Sequence, residues 1–391
     1  DPAEAHVWTG NGATPPPIAF YLLPAALLLL PIRPVRSALA NVRRLVVKLG
    51  TGILTDATMR PDLVQFAQLV GQVAAQRAAG REVVLVSSGA VGAGMGALGF
   101  TRRPKKLDEL QACAAVGQSR LMAIYETFFR HHGLGVAQVL LTHDDLANHE
   151  RHLNARHTLR RLLGLGIVPV INENDAVSVT ELKFGDNDRL SALVAALLPA
   201  ELLVILTTAE GLYENFSRPD QRRLAEVPRI DERIETLARG TTAVTATGGM
   251  VTKIAAARIA VRSGLPVVIA PGRRFDVLAR ILAGEEEGTL FVPGSARLAG
   301  RKRWLAFFQR PAGALTVDDG ARRALVGQGR SLLAPGVVRV EGGFRAGDLV
   351  GIRDAAGREI ARGLARLDAG ALAHGARPKG EAVHRDDLVL L

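Results

Sequence analysis

Six short apolar runs, spaced by helix-like stretches between residues 45 and 271, constrain the fold more than any other feature of this chain. They are RLVVKLG, EVVLVSSG, GLGVAQVLL, GLGIVPVINEN, ELLVILTT and PVVIA. None shows the strict apolar–polar alternation of a half-exposed strand. Strands that are apolar on both sides must be covered on both sides, and helices between them supply the cover. The stretch PDLVQFAQLVGQVAAQRAAG places Leu63, Phe66, Leu69, Val70 and Val73 at helical spacing, with Pro61 suited to a first turn and Gly80 to a stop. The fold expected is therefore α/β: a three-layer αβα sandwich around a mainly parallel sheet, over residues 42–292.

Beyond it the rhythm changes. The basic segment RKRWLAFFQR reads as a linker, assigned to residues 293–312. Short alternating segments then follow, among them ALTVDDG, GVVRVEGGF and DLVGIRDAAGREIARGLARL, punctuated by glycine. These are hairpin signals for a small, mostly β domain over 313–391. Residues 1–41 read as an extension outside the fold. Their apolar part, PPPIAFYLLPAALLLLPIRP, is interrupted at Pro24 and closed at Pro31. A spanning helix needs about 20 apolar residues, so no membrane is expected, with a membrane-associating segment as the alternative. A single cysteine, Cys113, excludes a disulfide framework and favours a reducing, cytoplasmic setting. Residues 292–391 hold 17 Lys and Arg against 10 Asp and Glu, so an anionic macromolecule such as RNA would meet this end of the chain.

In open α/β sheets, ligands bind beyond the carboxyl ends of the strands. That rim gathers Lys48, Gly50 and Thr51 after the first strand, and Ser88 after the second. Asn172 and Asp175 follow the fourth, Asp186, Asn187 and Asp188 stand just beyond, and Thr207 and Thr208 close the fifth. The last helix opens on Thr247, Gly248, Gly249, Met250, Val251, Thr252 and Lys253, a run that would offer backbone N–H groups to an anion. Each piece has a plain reading as well: turn and capping chemistry for the Asn and Asp clusters, a snorkelling lysine, an ordinary helix start. Gly94, Gly96 and Gly99 spell GxGxxG, but in the second strand–helix unit and without a suitable acid downstream; helix packing explains them better. His149, His152 and His157 lack the HExxH pattern and read as a polar helix surface. Two separated lysines, glycine-rich turns and no carboxylate cage suit phosphoryl transfer, with Mg²⁺ carried on the phosphates and no protein metal site.

The motifs VVKLGTGIL, VSSGAVGAG, AAVGQSRL, PVINENDAV, FGDNDRLSALVA and TGGMVTK stand in the order found in bacterial glutamate 5-kinases. From about residue 44 onward the chain resembles that branch of the amino-acid kinases, and its tail, with GFRAGDLVGI and AVHRDDLV, resembles a PUA domain. The resemblance implies ATP and L-glutamate as substrates, L-glutamyl 5-phosphate as product, proline as feedback inhibitor and a homo-oligomer. It implies that Lys48 and Lys253 neutralise the transferring phosphoryl group and that Asp188 orients them. Ser88, Asn172, Asp175, Asp186 and Asn187 would hold glutamate; Lys48, Gly50, Thr51, Thr207, Thr208 and residues 247–253 would contact ATP. The chain departs from the family at Thr208, where an aspartate is usual, at ENFSRPD, and in a shortened segment before AVHRDD. Other acceptors for the same fold, such as N-acetylglutamate or aspartate, and an RNA-binding protein with a vestigial kinase body remain the alternatives.

Overall fold

A computed structural model describes residues 35–177, 186–239, 249–294, 300–373 and 379–391. Its larger unit is built on an eight-stranded sheet. The strands foreseen in the sequence are β1 (Arg44–Leu49), β2 (Glu82–Val86), β3 (Val136–Leu141), β4 (Val168–Glu173) and β5 (Leu202–Thr207). A small hairpin, β6 (Tyr213–Glu214) with β7 (Arg222–Arg223), and an edge strand, β8 (Glu226–Val227), precede β9 (Val267–Pro271) and β10 (Thr289–Phe291). The sheet order is β3-β4-β2-β1-β5-β9-β10-β8. Strands β1 to β5 and β9 run parallel, and β10 turns antiparallel against β9.

Alternation along each central strand feeds two cores. Val46, Val84, Ile171, Leu203 and Ile205 face one layer, while Leu45, Val47, Leu85, Val170 and Val204 face the other. The first layer is covered by α6 (His149–Gly164), α7 (Asp186–Leu197), α8 (Glu232–Arg239) and α9 (Met250–Arg262). The second is covered by α1 (Thr51–Leu54), α2 (Leu63–Ala78), α4 (Leu107–His131) and α10 (Val277–Leu282). Two further short helices, α3 (Ala90–Met95) and α5 (His143–Ala147), complete this unit. Gly94 and Gly117 explain how α3 meets α4. A Cβ on Gly94 would stand 1.9 Å from the Cys113 carbonyl oxygen, and one on Gly117 would stand 1.7 Å from that of Ala90. The GxGxxG glycines therefore include one that serves helix contact, as expected.

The fold reaches further at both ends than the sequence reading allowed. Residues Val35–Asn41, placed outside it above, form a 3₁₀ helix with Leu39 in the second core. The Arg36 guanidinium there donates to the carbonyls of Glu285, Glu287 and Ala225. The basic segment read as a linker is α11 (Gly300–Phe307), whose Leu305, Ala306, Phe307 and following Phe308 are buried in the first core. Four apolar side chains behind a charged face are what a docked amphipathic helix requires. The apolar stretch of residues 15–34 lies outside the described residues. No helix among the described residues is long and apolar enough to cross a membrane.

The C-terminal unit is a six-stranded sheet ordered β12-β16-β15-β14-β11-β13. Its strands are β11 (Gly313–Val317), β12 (Leu332–Leu333), β13 (Val337–Glu341), β14 (Leu349–Arg353), β15 (Glu359–Ala365) and β16 (Glu381–Leu390). With α12 (Asp319–Gln328) and α13 (Ala369–Ala373) it encloses a core of its own around Leu315, Val350, Ile352 and Val383. Leu349 and Val389 instead join the first core of the larger unit, so the two units share buried apolar surface.

Candidate active site

Strand register decides where Lys48 goes. Val47 points to the α2/α4 layer, so the next residue points to the layer of α7 and α9. There the first turn of α7 brings Asp188 and the first turn of α9 brings Lys253. The Lys48 ammonium lies 2.7 Å from Asp188 Oδ1, and that of Lys253 lies 3.2 Å from Oδ2. Asp188 is 1 % exposed and both lysines 5 %. Thr252 donates its hydroxyl to Asp188 Oδ2 at 2.7 Å. Burial by itself would raise the Asp188 carboxyl, but the two ammonium groups outweigh it and hold the group below the ordinary carboxylate value. Lys253 moves down, because loss of hydration and the neighbouring Lys48 charge together exceed the pull of Asp188. One carboxylate thus stands between two ammonium groups, buried at the end of the sheet.

The other half of the rim is an amide network. Asn187 Nδ2 reaches Ser88 Oγ at 3.2 Å and Asn172 Oδ1 at 3.0 Å, and its Oδ1 accepts from the Glu173 backbone N–H. Asn172 in turn donates to Gln118 Oε1 at 2.9 Å. The Nε2 of Gln118 is buried and has no acceptor among the described residues. Gln118 borders a cavity of ≈ 280 Å³ shared with Gln138, Glu173, Asn174 and Asp175. Burial raises the Asp175 carboxyl, and Arg103 partly opposes that shift. The sequence reading passed over Gln118. The signal was there: it falls on the apolar stripe of α4, four residues after Ala114 and three before Leu121, so it faces the sheet.

The remaining expected residues sort as follows. Gly50 and Thr51 open α1, and the Gly50 N–H bonds the Leu206 carbonyl, so this turn is laced to the end of β5. A Cβ at Gly50 would sit 3.3 Å from that oxygen and 3.5 Å from Lys48 Nζ, which leaves glycine as the residue that keeps the approach open. Thr207 is buried and Thr208 exposed, with its methyl over Gly52. Gly249 caps α9 without a side-chain bond, leaving backbone N–H groups of its first turn to a ligand. Met250 is packed into the first core and Val251 is exposed. Asp186 begins α7, but its side chain lies outside the described residues, as do Thr247 and Gly248. His149 and His152 lie on α6, edge-on to Trp304 and Phe308.

Residues 43–271 match the amino acid kinase family and residues 313–386 match the PUA domain. A protein of Moorella thermoacetica named glutamate 5-kinase is 48 % identical over 92 % of this chain and 99 % of its own length. Proteins of the same name from Ralstonia nicotianae and Geobacter sulfurreducens are each 48 % identical, over 91 % and 90 % of this chain and 99 % of theirs.

Proposed function

The chain belongs to the amino acid kinase family and, within it, to the glutamate 5-kinases; from that premise we propose the chemistry of its site. The enzyme transfers the γ-phosphoryl group of ATP to the side-chain carboxylate of L-glutamate, giving ADP and L-glutamyl 5-phosphate, the first step towards proline. The observation that carries this reading is the Lys48–Asp188–Lys253 cluster, two buried ammonium groups held on one carboxylate beside the α9 N-terminus and the amide network.

ATP lies along the α1 and α9 turns, its phosphates facing the α9 N–H groups and Lys253. Lys48 and Lys253 neutralise the equatorial oxygens of the transferring group, where negative charge spreads in the transition state. Asp188 is a positioning residue: it fixes both ammonium groups and is itself held by Thr252. Ser88, Asn172, Asn187, Gln118 and Asp175 line the acceptor side. Gln118 Nε2 and the Ser88 hydroxyl, which accepts from Asn187, supply donors for a carboxylate, and Asp175 supplies a counter-charge for the α-ammonium. A free-amine acceptor therefore fits better than an acetylated one. No general base is needed, since the glutamate γ-carboxylate, with an ordinary pKa of about 4.3, is already ionised at neutral pH. Both Asp188 oxygens are engaged by lysines, and no group of three His, Cys, Asp or Glu among the described residues could cage a metal. Mg²⁺ would accordingly come with the nucleotide phosphates. The same reading includes proline as inhibitor at the acceptor pocket, a homo-oligomer and a cytoplasmic location.

The test is ATP-dependent formation of glutamyl hydroxamate from glutamate, hydroxylamine and Mg²⁺ by the purified chain. Folded protein that makes hydroxamate from N-acetylglutamate or aspartate but not from glutamate overturns the assignment of acceptor; absence of all activity overturns the assignment of reaction.

A further inference from the structure

A second cavity, of ≈ 620 Å³, opens between α6, the C-terminal end of α7 and α11. Its walls are largely apolar: Leu153, Trp304 and Phe308, with Ala196 and Leu197 behind them. Among the described residues its polar side chains are His149, His152, Arg156 and Arg303, and no carboxylate lines it. Two of these lining side chains carry donors buried behind the cavity surface: the Trp304 indole N–H and the Arg156 Nε–H, neither with an acceptor among the described residues. Nor does Arg156 form an ion pair among those residues. Buried donors in folded proteins are nearly always paired, and a guanidinium in an apolar wall asks for an anion. Burial lowers the pKa of His152, so that side chain is neutral at pH 7 and Arg156 sets the charge. The volume lies within the roughly 300–1,000 Å³ typical of small-molecule sites, which combine apolar walls with a few placed polar groups.

We propose that this cavity binds a small organic anion with an aromatic or branched apolar body, its charge on Arg156 and its body between Trp304, Phe308 and Leu153. It is separate from the phosphoryl-transfer site. Asp188 stands in the first turn of α7 and Leu197 at its last residue, about 14 Å apart at 1.5 Å per residue.

The experiment is calorimetric titration of the full chain with 1-naphthoate, and with 1-naphthalenemethanol as its uncharged analogue, each in the presence of saturating ATP and of glutamate. The naphthoate is expected to bind one per chain, at least tenfold more tightly than the alcohol. Arg156→Gln should erase that tenfold while leaving the alcohol's affinity unchanged. Leu153→Trp, which fills the cavity, should abolish binding of both compounds. Both variants should keep the wild-type far-ultraviolet circular dichroism and kcat. If Leu153→Trp does not fold, the half-buried Arg156 decides alone. Equal binding of acid and alcohol, an unchanged naphthoate affinity in Arg156→Gln, or displacement of naphthoate by ATP or glutamate overturns the proposal.

Discussion

Lys48 and Asp188 meet at 2.7 Å in the interior, on the only sheet face that also receives Lys253 among the described residues. The contact comes from different elements: a strand residue pointing up and a helix residue pointing down. Replacing the acid by an amide removes the counter-charge that holds the two ammonium groups together. Asp188→Asn is therefore expected to lower kcat by about 10²–10³-fold, comparable to the loss of a transition-state donor. It should also destabilise the fold by about 3 kcal/mol or more, because a broken buried pair strands its partner charges. Steady-state kinetics and denaturant unfolding read the two effects separately. An Asn variant with near-normal kcat would remove Asp188 from the mechanism.

The pH profile follows from the same cluster. Lys253 titrates below the ordinary lysine value of 10.5, because burial and Lys48 outweigh Asp188. Its ammonium is needed for transfer, so kcat should fall as pH rises through that lowered value, before an ordinary lysine would titrate. The Asp188 carboxyl is depressed below 3.8, so its stabilising contribution is complete above that pH and is lost as pH falls through the depressed value. Between these limbs no histidine among the described residues borders the site, and kcat should show no step near pH 6.5. His143 is pushed down to about 4 by burial and by neighbouring arginines, so it stays neutral in that range. A pH–rate profile with a limb at pH 6–7 in kcat would demand a group not yet assigned.

Gln118 offers a sharper test of the acceptor pocket. Its Oε1 is engaged by Asn172 and its Nε2 is free of protein acceptors among the described residues. Gln118→Leu keeps much of the volume but removes both functions. The KM for glutamate is expected to rise by about tenfold or more, equivalent to about 1.4 kcal/mol, while the KM for ATP stays within twofold. A parallel rise in both constants would mean that the residue acts through the fold.

How much of this was legible in the sequence depends on element length and on what an apolar run can hide. Strands β1 to β5 and β9 each carry five or six residues, with continuous burial across nearly all of β1, β2, β4 and β5, and were visible as such. Strands β8 and β10 have two and three residues, too few to show a period, and were placed by pairing alone. Helix α11 was misread because Arg301, Lys302 and Arg303 mask a buried stripe of Leu305, Ala306 and Phe308. At the site, spacing along the rim indicated Lys48 and the two Asn/Asp clusters as neighbours. Spacing alone gives no means of knowing that Lys48 and Lys253 share the Asp188 carboxylate, which only the family resemblance implies, because that depends on which face of the sheet α7 and α9 cover. Thr252, expected at the nucleotide, also donates its hydroxyl to Asp188.

Thr208 is the place where this chain lacks the family's usual acid. It is exposed, beside Gly52 at the nucleotide rim, where a Cβ on that glycine would lie 3.0 Å from the Thr208 methyl. Thr208→Asp is expected to change the KM for ATP by twofold to about tenfold, the scale of one exposed polar contact of about 0.5–1.5 kcal/mol. It should leave the KM for glutamate unchanged, since the amide network is on the other side of Lys48. Nucleotide titrations with ATP and GTP would also show whether the acid alters base preference. No change in either nucleotide constant would place Thr208 outside the nucleotide contact surface.

The last prediction concerns the close contact of α3 and α4. Gly117 stands so near Ala90 that an added methyl would occupy the position of the Ala90 carbonyl oxygen. Gly117→Ala must therefore push α3 away from α4, at a cost of about 1–3 kcal/mol for overpacking. The displaced segment begins two residues after Ser88, whose hydroxyl receives Asn187, and the residue after Gly117 is Gln118 itself. Loss of stability should accordingly come with a raised KM for glutamate and an unchanged KM for ATP, because Lys48, Asp188 and Lys253 are held by other elements. Thermal unfolding and two-substrate kinetics on the same variant check both. A destabilised protein with normal glutamate affinity would separate the helix contact from the acceptor pocket.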